Sequence, residues 1–385
     1  MKNILDTFCI LPWTHLCVRP DEKLKPCCRF QIDDTSKLDL DLDNVAASGK
    51  DAMNNAYWTQ LRTDMLSGIK RDECRKCHLE ETPGSQRRSM RQWVNDRLVE
   101  EDGVYTNKFY EVEFIEMSID NICNLQCKMC DSKFSSKLQL RDKFLGQQIH
   151  KKLEPSFTKF DNLDLTKLKS VKILGGEPFM TPNFIKFIDY LISRSNVENI
   201  ILDIVTNGTK IPNNEIIKKL NKFKRLDIHV SLDSYDKSND YQRFGSSYIE
   251  VFKNAQRYEK LFTNSIIAFH TVISILNANT LANTLNFLVT NHNYHTTIDF
   301  VRDPKHLSLL YAPDDLLDEI LKINLSNKVA YKTLSTFFKT AKYNKEIWQE
   351  FLTNIVILDK FYNTDLKDYN IFLYNYINKE KLNEL

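Results

Sequence analysis

Three cysteines lie close together in the middle of the chain, at Cys123, Cys127 and Cys130, directly after an apolar, strand-like stretch at 112–119. Thiolates at this spacing can ligate an iron-sulfur cluster, but a 4Fe-4S cubane has four irons and this loop supplies only three ligands. One iron is therefore left open, as in catalytic zinc sites that keep one position for substrate. The spacing predicts a reactive metal site. A zinc half-site and a set of buried small hydrophobic residues are the alternatives.

Two further motifs follow strand-like runs. Gly175-Gly176-Glu177-Pro178 comes after the run Ser170–Leu174, and Thr206-Asn207-Gly208 comes after the run 199–206. The chain has only nine glycines, so two in succession indicate a close approach of a ligand to the backbone or a positive φ. Because functional residues of parallel α/β folds gather at the carboxyl ends of the strands, we expect these motifs to share one working face.

The elements that would position these motifs alternate between strand and helix. Six strand-like runs recur from residue 112 onward with helical patterns between them, at 112–119, 170–174, 199–206, 226–232, 266–275 and 297–301. The stripe Phe184, Phe187, Ile188, Leu191 and Ile192 is typical of a helix with one buried face. This alternation predicts a parallel α/β sheet, either open and doubly wound or curled into a barrel. Six units are too few for a complete eight-stranded barrel, so a partial (βα)6 TIM-like barrel is expected.

The two flanking regions differ from this core. Residues 1–105 show little periodicity outside a helix near 58–65 and hold the other six cysteines, so we expect a cysteine-rich domain that folds around metal. Residues 306–385 contain no cysteine and no glycine, and Trp348, Phe351, Ile355 and Leu358 form a helical stripe. The stripe predicts a helical extension packed on the barrel or on a partner. The predicted domains are therefore 1–105, 106–305 and 306–385.

Composition limits the partners and the compartment. The chain has 53 Lys plus Arg and 51 Asp plus Glu, so no global field demands a nucleic acid or a membrane as partner. No apolar run is long enough to span a bilayer, and the first residues lack the basic and apolar regions of a signal peptide. We expect a cytoplasmic protein, in which reduced cysteines serve as metal ligands rather than as disulfides.

Taken together, the motifs resemble those of the radical SAM superfamily. The resemblance rests on the CxxxCxxC loop of Cys123, the Gly-Gly-Glu-Pro motif, the turn at 206–208 and the run Val-Ser-Leu-Asp-Ser at 230–234, and it covers about residues 110–305. It implies a 4Fe-4S cluster whose open iron binds S-adenosylmethionine (SAM). In this family, one electron cleaves SAM to a 5'-deoxyadenosyl radical that abstracts hydrogen from the substrate. Met129 departs from the pattern, because many members have an aromatic residue there.

The resemblance also implies roles for the cofactor-binding residues. The backbone of Gly175 and Gly176 and the carboxylate of Glu177 would accept hydrogen bonds from the SAM ammonium group, and Pro178 would stiffen the turn. Asn207 would bind the ribose hydroxyls, while Ser231 and Arg243 would hold the SAM carboxylate, as the guanidinium fork suits bidentate pairing. The alternatives are a solvated loop carboxylate for Glu177, a plain turn residue for Asn207 and a surface ion pair for Arg243.

Three interpretations fit the N-terminal cysteines. The string C-x-x-C-H at 74–78 matches a haem attachment site, but no export signal accompanies it. A zinc site would use Cys27, Cys28, Cys74 and Cys77. The third interpretation is a second 4Fe-4S cluster, because the segment resembles the auxiliary-cluster segment of SPASM or twitch radical SAM enzymes, although in those relatives it follows the barrel. That resemblance implies Cys9, Cys27, Cys74 and Cys77 as ligands, with Cys17 and Cys28 as alternates. Four ligands would suit electron transfer or structure, and three would leave an iron for substrate.

The function expected from these features is a radical SAM oxidation or cross-linking of a peptide, sugar or small metabolite. A flavodoxin- or ferredoxin-like reductant would supply the electron, and no side chain is assigned a catalytic role. Two alternatives remain, namely modification of a nucleotide or RNA base and a non-catalytic metal-binding interaction protein. The arginines at 87, 88, 91 and 97, with Trp93 among them, could hold an acidic peptide, a phosphate or a nucleic acid. A solvated helix face is the favoured explanation for them.

Overall fold

The computed structural model describes residues 6–32, 35–81, 88–99, 103–151 and 153–383. It is an α/β fold with one eight-stranded, mostly parallel sheet. The strands are β1 His15–Val18, β2 Leu24–Lys25, β3 Phe114–Ser118, β4 Ser170–Leu174, β5 Ile201–Thr206, β6 Arg225–Ser231, β7 Ser265–Ile273 and β8 His295–Phe300. The six predicted strands are all present, with ends within two residues of the predicted positions.

The strand order is β2-β1-β3-β4-β5-β6-β7-β8. From β3 to β8 the spatial order follows the chain order, without the reversal that defines a doubly wound sheet. The order therefore favours the barrel-type arrangement of the predicted βα units. The register aligns Cys17 of β1 with Glu116 of β3, and Glu116 with Lys172 of β4. Residues that are aligned in this way point to the same face of the sheet.

Helices connect and cover the strands. They are α1 Leu11–Thr14, α2 Leu42–Ser48, α3 Ala56–Leu66, α4 Arg75–Glu80, α5 Met90–Leu98, α6 Gln139–Phe144, α7 Pro182–Arg194, α8 Asn214–Leu220, α9 Lys237–Gln242, α10 Tyr248–Leu261, α11 Leu281–Leu285, α12 Asp314–Ile323, α13 Lys328–Phe338, α14 Lys345–Tyr362, α15 Leu366–Tyr369 and α16 Ile371–Asn383. In α7, Thr181 caps the amino terminus by accepting a hydrogen bond from the Asn183 amide, and Pro182 occupies the first turn. Four of the five residues of the predicted stripe of α7 are buried, and Ile192 is half-buried.

The N-terminal region contains more regular structure than its sequence predicts. Strands β1 and β2 extend the sheet, and β1 pairs in parallel with β3. All four residues of β1 are buried, so the strand lacks the alternation by which a half-buried strand is recognised. The region also has an apolar core of its own around Phe8, Trp13 and Leu61. The low periodicity of this region therefore does not mean that it lacks an apolar core.

The chain divides into two compact units. The first unit comprises Met1–Asp120, Leu153–Asp203 and Lys218–Leu226, and the second comprises Asn121–Lys152, Ile204–Ile217 and Asp227–Leu385. Strands β5 and β6 contribute residues to both units. The predicted domain limits at residues 105 and 305 stay a prediction.

The C-terminal helices belong to the second unit. Trp348, Phe351, Ile355 and Leu358 of α14 are buried, as the stripe predicts. Three of them, Trp348, Phe351 and Ile355, join one apolar core with residues of β7 and β8. The extension is thus packed against the strands of its own unit. Among the described residues, no helix combines the length and the apolar character needed to cross a membrane.

Candidate functional site

The three cysteines of the loop after β3 come together in the second unit. The thiols of Cys127 and Cys130 are close enough to each other and to Cys123 for their charges to interact. Burial raises the pKa of the Cys127 thiol to about 12, and it raises the pKa of Cys130 further. Three thiolates gathered in a buried place need a compensating positive charge, and iron supplies it. The donor set therefore fits an iron-sulfur cluster with three protein ligands.

Arg141 of α6 is hydrogen-bonded to the backbone of the cysteine loop. Its guanidinium group donates to the carbonyl oxygens of Cys127, at 3.1 Å, and of Cys130, at 2.5 Å. The same group pairs with the Asp142 carboxylate at 2.7 Å, and both side chains are buried. Asp142 in turn accepts the backbone N–H of Ser132 at 2.6 Å. The sequence did not reveal this pair, because adjacent Arg and Asp residues in a polar helix are usually exposed to solvent.

Lys128, inside the loop, contacts the C-terminal extension. Its ammonium group lies 3.9 Å from the ring centre of Tyr241 and 4.7 Å from that of Tyr362 in α14. Burial lowers the pKa of Lys128 to about 8. The loop is thus held against α14 by a cation between two aromatic rings, a contact that the sequence did not reveal.

Asn207 is tied to the cysteine loop. Its Nδ2 donates to Asn124 Oδ1 at 3.0 Å and to Cys123 Sγ at 3.7 Å, and its Oδ1 accepts from the amide and hydroxyl of Thr209. Gly208 adopts φ +73°, and a Cβ there would lie 2.8 Å from the side chains of Val230 and Val251. Asn207 is therefore more than a plain turn residue. Its predicted role toward the ribose remains a proposal.

Arg243 is buried and paired with Asp233. Nε donates to Asp233 Oδ2 at 2.7 Å and Nη2 to Oδ1 at 2.9 Å. Burial opposes the charge of Arg243, but the Asp233 carboxylate outweighs it and the pKa of Arg243 is raised. The pair is not the surface ion pair considered as the alternative. Ser231, at the end of β6, is also buried. The roles of Arg243 and Ser231 toward the SAM carboxylate remain proposals.

The Gly-Gly-Glu-Pro motif forms a tight turn in the first unit. Gly175 adopts φ +133°, and a Cβ there would lie 2.6 Å from the carbonyl oxygen of Asp120. The Gly176 amide donates to the same carbonyl oxygen at 2.8 Å. Glu177 is fully buried, and its Oε1 accepts the Phe179 amide at 3.1 Å, which caps the turn that begins at Pro178. Glu177 is therefore not a solvated loop carboxylate.

Asp120, which sequence reasoning missed, organises this turn. Its Oδ2 accepts hydrogen bonds from the Thr181 hydroxyl and, at 3.0 Å, from Asn183 Nδ2. It is almost completely buried. The available signal was an acidic residue directly after a buried strand.

Four N-terminal cysteines converge in the first unit. The charges of Cys74 and Cys77 act on Cys9, and those of Cys28, Cys9, Cys74 and Cys77 act on Cys27, with the neighbouring Cys28 first among them. Burial raises the pKa of the Cys74 thiol to about 12. These are the four residues that the resemblance implied as auxiliary ligands. As in the loop, buried thiols that face one another fit a cluster whose positive charge compensates them.

Cys17 and Cys28 lie beside Glu116 instead. Cys28 lies close enough to the Glu116 carboxyl group for the two to interact, and the charges of Glu116 and Cys28 act on Cys17. After burial, Glu116 and Lys172 have the strongest influence on Cys28.

The described arginines of residues 87–97 each contact a different residue. Arg88 pairs with Asp96, and Arg91 pairs with Glu81. Arg97 lies 3.9 Å from the ring centre of Trp93. Arg87 lies outside the described residues. The pairing favours a helix face over a prepared phosphate site, but of the described arginines only Arg88 and Arg97 are exposed, and the prediction of a solvated face fails for the buried Arg91.

A parallel α/β sheet with a three-cysteine loop after one strand and a Gly-Gly-Glu-Pro turn after the next defines a class of cofactor-dependent enzyme. Residues 117–288 match the model of the Radical SAM superfamily. The chain therefore contains a radical SAM domain, which is the catalytic domain of a superfamily of enzymes. The family implies one 4Fe-4S cluster and SAM.

Two curated relatives of similar sequence are both named GTP 3',8-cyclase. The GTP 3',8-cyclase of Actinobacillus succinogenes is 25% identical over 183 residues, which are 45% of this chain and 49% of that protein. The GTP 3',8-cyclase of Mannheimia succiniciproducens is 23% identical over 164 residues, or 41% of this chain and 45% of that protein. The chain spans about half the length of the curated relatives it matches.

Solved structures show weaker similarity. Native anSMEcpe with bound AdoMet aligns with 60% of this chain and 63% of its own, at a TM-score of 0.41 and 16% identity. Streptococcus suis SuiB bound to S-adenosylmethionine aligns with 79% of this chain and 65% of its own, at a TM-score of 0.37 and 15% identity.

Proposed function

We propose that the protein is a radical SAM enzyme with two iron-sulfur clusters that oxidises or cross-links a peptide or another small substrate. Cys123, Cys127 and Cys130 hold the first cluster, and Cys9, Cys27, Cys74 and Cys77 hold the second. When bound, a cluster with SAM on its open iron supplies one-electron cleavage of a carbon–sulfur bond and a radical that takes hydrogen from an unactivated C–H bond. The observation that carries the proposal is the gathering of two separate sets of thiols, one with three members and one with four.

The residues around the loop keep the three thiols in place. Arg141 fixes the backbone at Cys127 and Cys130, and Asn207 holds the loop at Asn124 and Cys123. Cys127 is buried and Cys130 is half-buried, which limits the access of water and protects a reactive species from side reactions. In this proposal Glu177, Ser231 and Arg243 supply the polar contacts that orient SAM.

SAM cleavage tests the first cluster. We expect the anaerobically reconstituted protein, given SAM and dithionite, to form 5'-deoxyadenosine. Cys127→Ala is expected to abolish this product, whereas Cys17→Ala, which removes a thiol outside both sets, is expected to retain it. If the wild-type protein with about four irons or more per chain forms no 5'-deoxyadenosine, the proposal is wrong.

Iron content tests the second cluster. We expect about eight irons per chain in the wild type and about four in Cys74→Ser, because a cubane contains four. The Cys74→Ser variant should still cleave SAM, since the first set of thiols is intact. One zinc with about four irons in the wild type would overturn the second cluster.

A nucleotide is the second candidate substrate. The observation that favours it is the sequence match to GTP 3',8-cyclases, which covers less than half of this chain. Incubation with GTP, SAM and dithionite separates the two candidates, because a cyclised or otherwise altered GTP detected by mass spectrometry would establish the nucleotide. An unchanged GTP pool together with SAM cleavage would favour a peptide or another small metabolite. We also propose a cytoplasmic location and a flavodoxin- or ferredoxin-like electron donor.

A further inference from the structure

The segment that follows the cysteine loop exposes large apolar side chains. Phe134, Leu140, Phe144 and Ile149 are 41%, 74%, 59% and 47% exposed. Single exposed apolar residues are ordinary on a protein surface, but four within sixteen residues form a concentration that calls for a partner. Phe144 also contacts the ring of Phe361, with 5.2 Å between ring centres, so the apolar surface continues onto α14.

The same segment carries a positive charge. Lys133, Lys137, Lys143 and Lys151 lie between or beside the apolar residues, and the last three are exposed. Of its two acidic residues, Asp142 is buried and neutralised by Arg141, which leaves only Asp131 on the surface. The segment is thus distinctly basic, although the whole chain has a net charge of only +2.

One short helix connects this surface to the cysteine loop. Leu140 and Phe144 lie four residues apart on one exposed face of α6, while Arg141 of the same helix is buried and donates to the carbonyl oxygens of Cys127 and Cys130. A cavity of about 350 Å³ lies beside it, and Met129 and Cys130 form part of its wall. A molecule seated on α6 would therefore lie on the helix whose Arg141 contacts the backbone of the cysteine loop.

We propose that the surface formed by Phe134, Leu140, Phe144 and Ile149 with their four neighbouring lysines is the docking site of an acidic one-electron carrier protein. The inference rests on the proposed function, because a cluster at Cys123, Cys127 and Cys130 must receive an electron before SAM is cleaved. In this step the carrier is oxidised by one electron and the cluster is reduced by one electron, and no bond forms or breaks.

The charge and the residue composition of this surface favour an acidic carrier protein as its partner. An apolar centre with a charged border is typical of protein interfaces, and electrostatic attraction raises the rate of encounter with a carrier of opposite sign. A second copy of this chain is disfavoured because two basic surfaces repel each other. The position next to the loop brings a carrier close to the cysteines, which a membrane or a structural partner would not need.

The experiment compares two sources of electrons in the reconstituted enzyme. Formation of 5'-deoxyadenosine is measured with dithionite and, separately, with a reduced flavodoxin and a reduced bacterial ferredoxin. Lys137→Glu/Lys143→Glu is expected to lower the carrier-driven rate at least about tenfold at low salt and to leave the dithionite-driven rate unchanged, because a small reductant needs no docking surface. Leu140→Ser should act in the same direction without a change of charge.

A matched control variant separates the effect of this surface from the effect of the net charge of the protein. Lys332→Glu/Lys339→Glu makes the same change in net charge at two exposed lysines of α13 and its carboxyl end, and it should retain the carrier-driven rate. An equal loss in both double variants, or no loss in the first, would overturn the proposal. A dithionite-driven rate of zero in the wild type would refute the proposed function instead.

Binding supplies a readout that does not depend on catalysis. We expect the wild type to bind the carriers with an affinity that falls as salt rises, and Lys137→Glu/Lys143→Glu to bind at least about tenfold more weakly. No binding to either carrier would overturn the proposal. Association of the wild type with anionic vesicles, or a dimer that Leu140→Ser dissociates, would assign the surface to a membrane or to a second copy.

Discussion

Asp233, which follows β6, and Arg243, at the carboxyl end of α9, face each other with two hydrogen bonds of 2.7 and 2.9 Å and lie almost completely out of solvent. Asp233 also accepts the amide of Val272 at 2.9 Å and Gln242 Nε2 at 2.5 Å. The carboxylate thus accepts hydrogen bonds from β7, from α9 and from Arg243 at the end of α9. A buried charge is stable only when an opposite charge neutralises it, so removal of either Asp233 or Arg243 should destabilise the second unit.

Asp233→Asn should destabilise the protein by about 3–5 kcal/mol, because it leaves the Arg243 charge buried without a counter-ion. Glu250→Gln is the matched control. It makes the same carboxylate-to-amide change in the exposed ion pair with Lys253, whose atoms are 3.3 Å apart, and it should cost less than about 1 kcal/mol. Denaturant unfolding under anaerobic conditions measures both. Similar losses in the two variants would contradict the importance assigned to the buried pair.

Gly175→Ala should disrupt the turn that carries Glu177. An alanine Cβ would lie 2.6 Å from the Asp120 carbonyl oxygen, and the backbone has φ +133°. Gly68→Ala is a useful control because Gly68 also has a positive φ, +78°, but a Cβ there meets no atom within 4 Å. The control should lose about 1–2 kcal/mol of stability from the backbone alone, and Gly175→Ala should lose more. We also expect only Gly175→Ala to lower the rate of SAM cleavage, and equal effects in the two assays would refute this account.

Arg62 should be indispensable to the N-terminal region. Its buried guanidinium group donates to the carbonyl oxygens of Pro12, Met53 and Asn107 at 2.7–3.0 Å, and burial lowers its pKa to about 10. Arg62→Met would leave these acceptors unpaired, at a cost of at least about 3 kcal/mol. Arg88→Met, at an exposed arginine paired with Asp96, should cost less than about 1 kcal/mol. Thermal and denaturant unfolding distinguish the two, and a loss below about 1 kcal/mol at Arg62 would show that water replaces the guanidinium group.

The strands and helices that the sequence predicted are those in which apolar residues recur in a regular pattern. The six strands from β3 to β8 are apolar runs with helical stripes between them, and the burial of Phe184 and Trp348 confirms two of the stripes. Strand β1 escaped prediction because its four residues are all buried, which produces no alternation, and β2 is only two residues long. Short, fully buried strands have no periodic signal to detect.

The candidate site was accessible from sequence where the chemistry resides in a local motif. The spacing of Cys123, Cys127 and Cys130 and the Gly-Gly-Glu-Pro turn are of this kind. The contacts of Arg141, Asp120 and Asp233 are not, because each depends on which distant or unremarkable residue the fold brings close. Local spacing identifies ligands, whereas the groups that hold those ligands in place become visible only in three dimensions.

His15 should make the stability of the protein depend on pH. It is completely buried in β1, stacked on Phe114, and its Nδ1 donates to the Pro26 carbonyl oxygen at 3.0 Å. Burial lowers the pKa of His15 to about 4 from an ordinary value of 6.5, with a smaller contribution from the charge of Lys172 on β4. The folded protein thus keeps His15 neutral at a pH where the unfolded chain protonates it. Stability is therefore complete above pH 6.5 and falls by about 1.4 kcal/mol per unit between pH 6.5 and 4.

His15→Asn tests this dependence, because the asparagine amide can still donate to the Pro26 carbonyl oxygen. Between pH 7 and pH 5 the wild type should lose about 2 kcal/mol more of its unfolding free energy than His15→Asn does. The control is His295→Asn, at an exposed histidine of β8, which should keep the pH dependence of the wild type. Denaturant unfolding at several pH values, with equal iron content in all samples, measures the slopes. Parallel curves for the wild type and His15→Asn would mean that the imidazole is protonated as readily in the folded protein as in the unfolded chain.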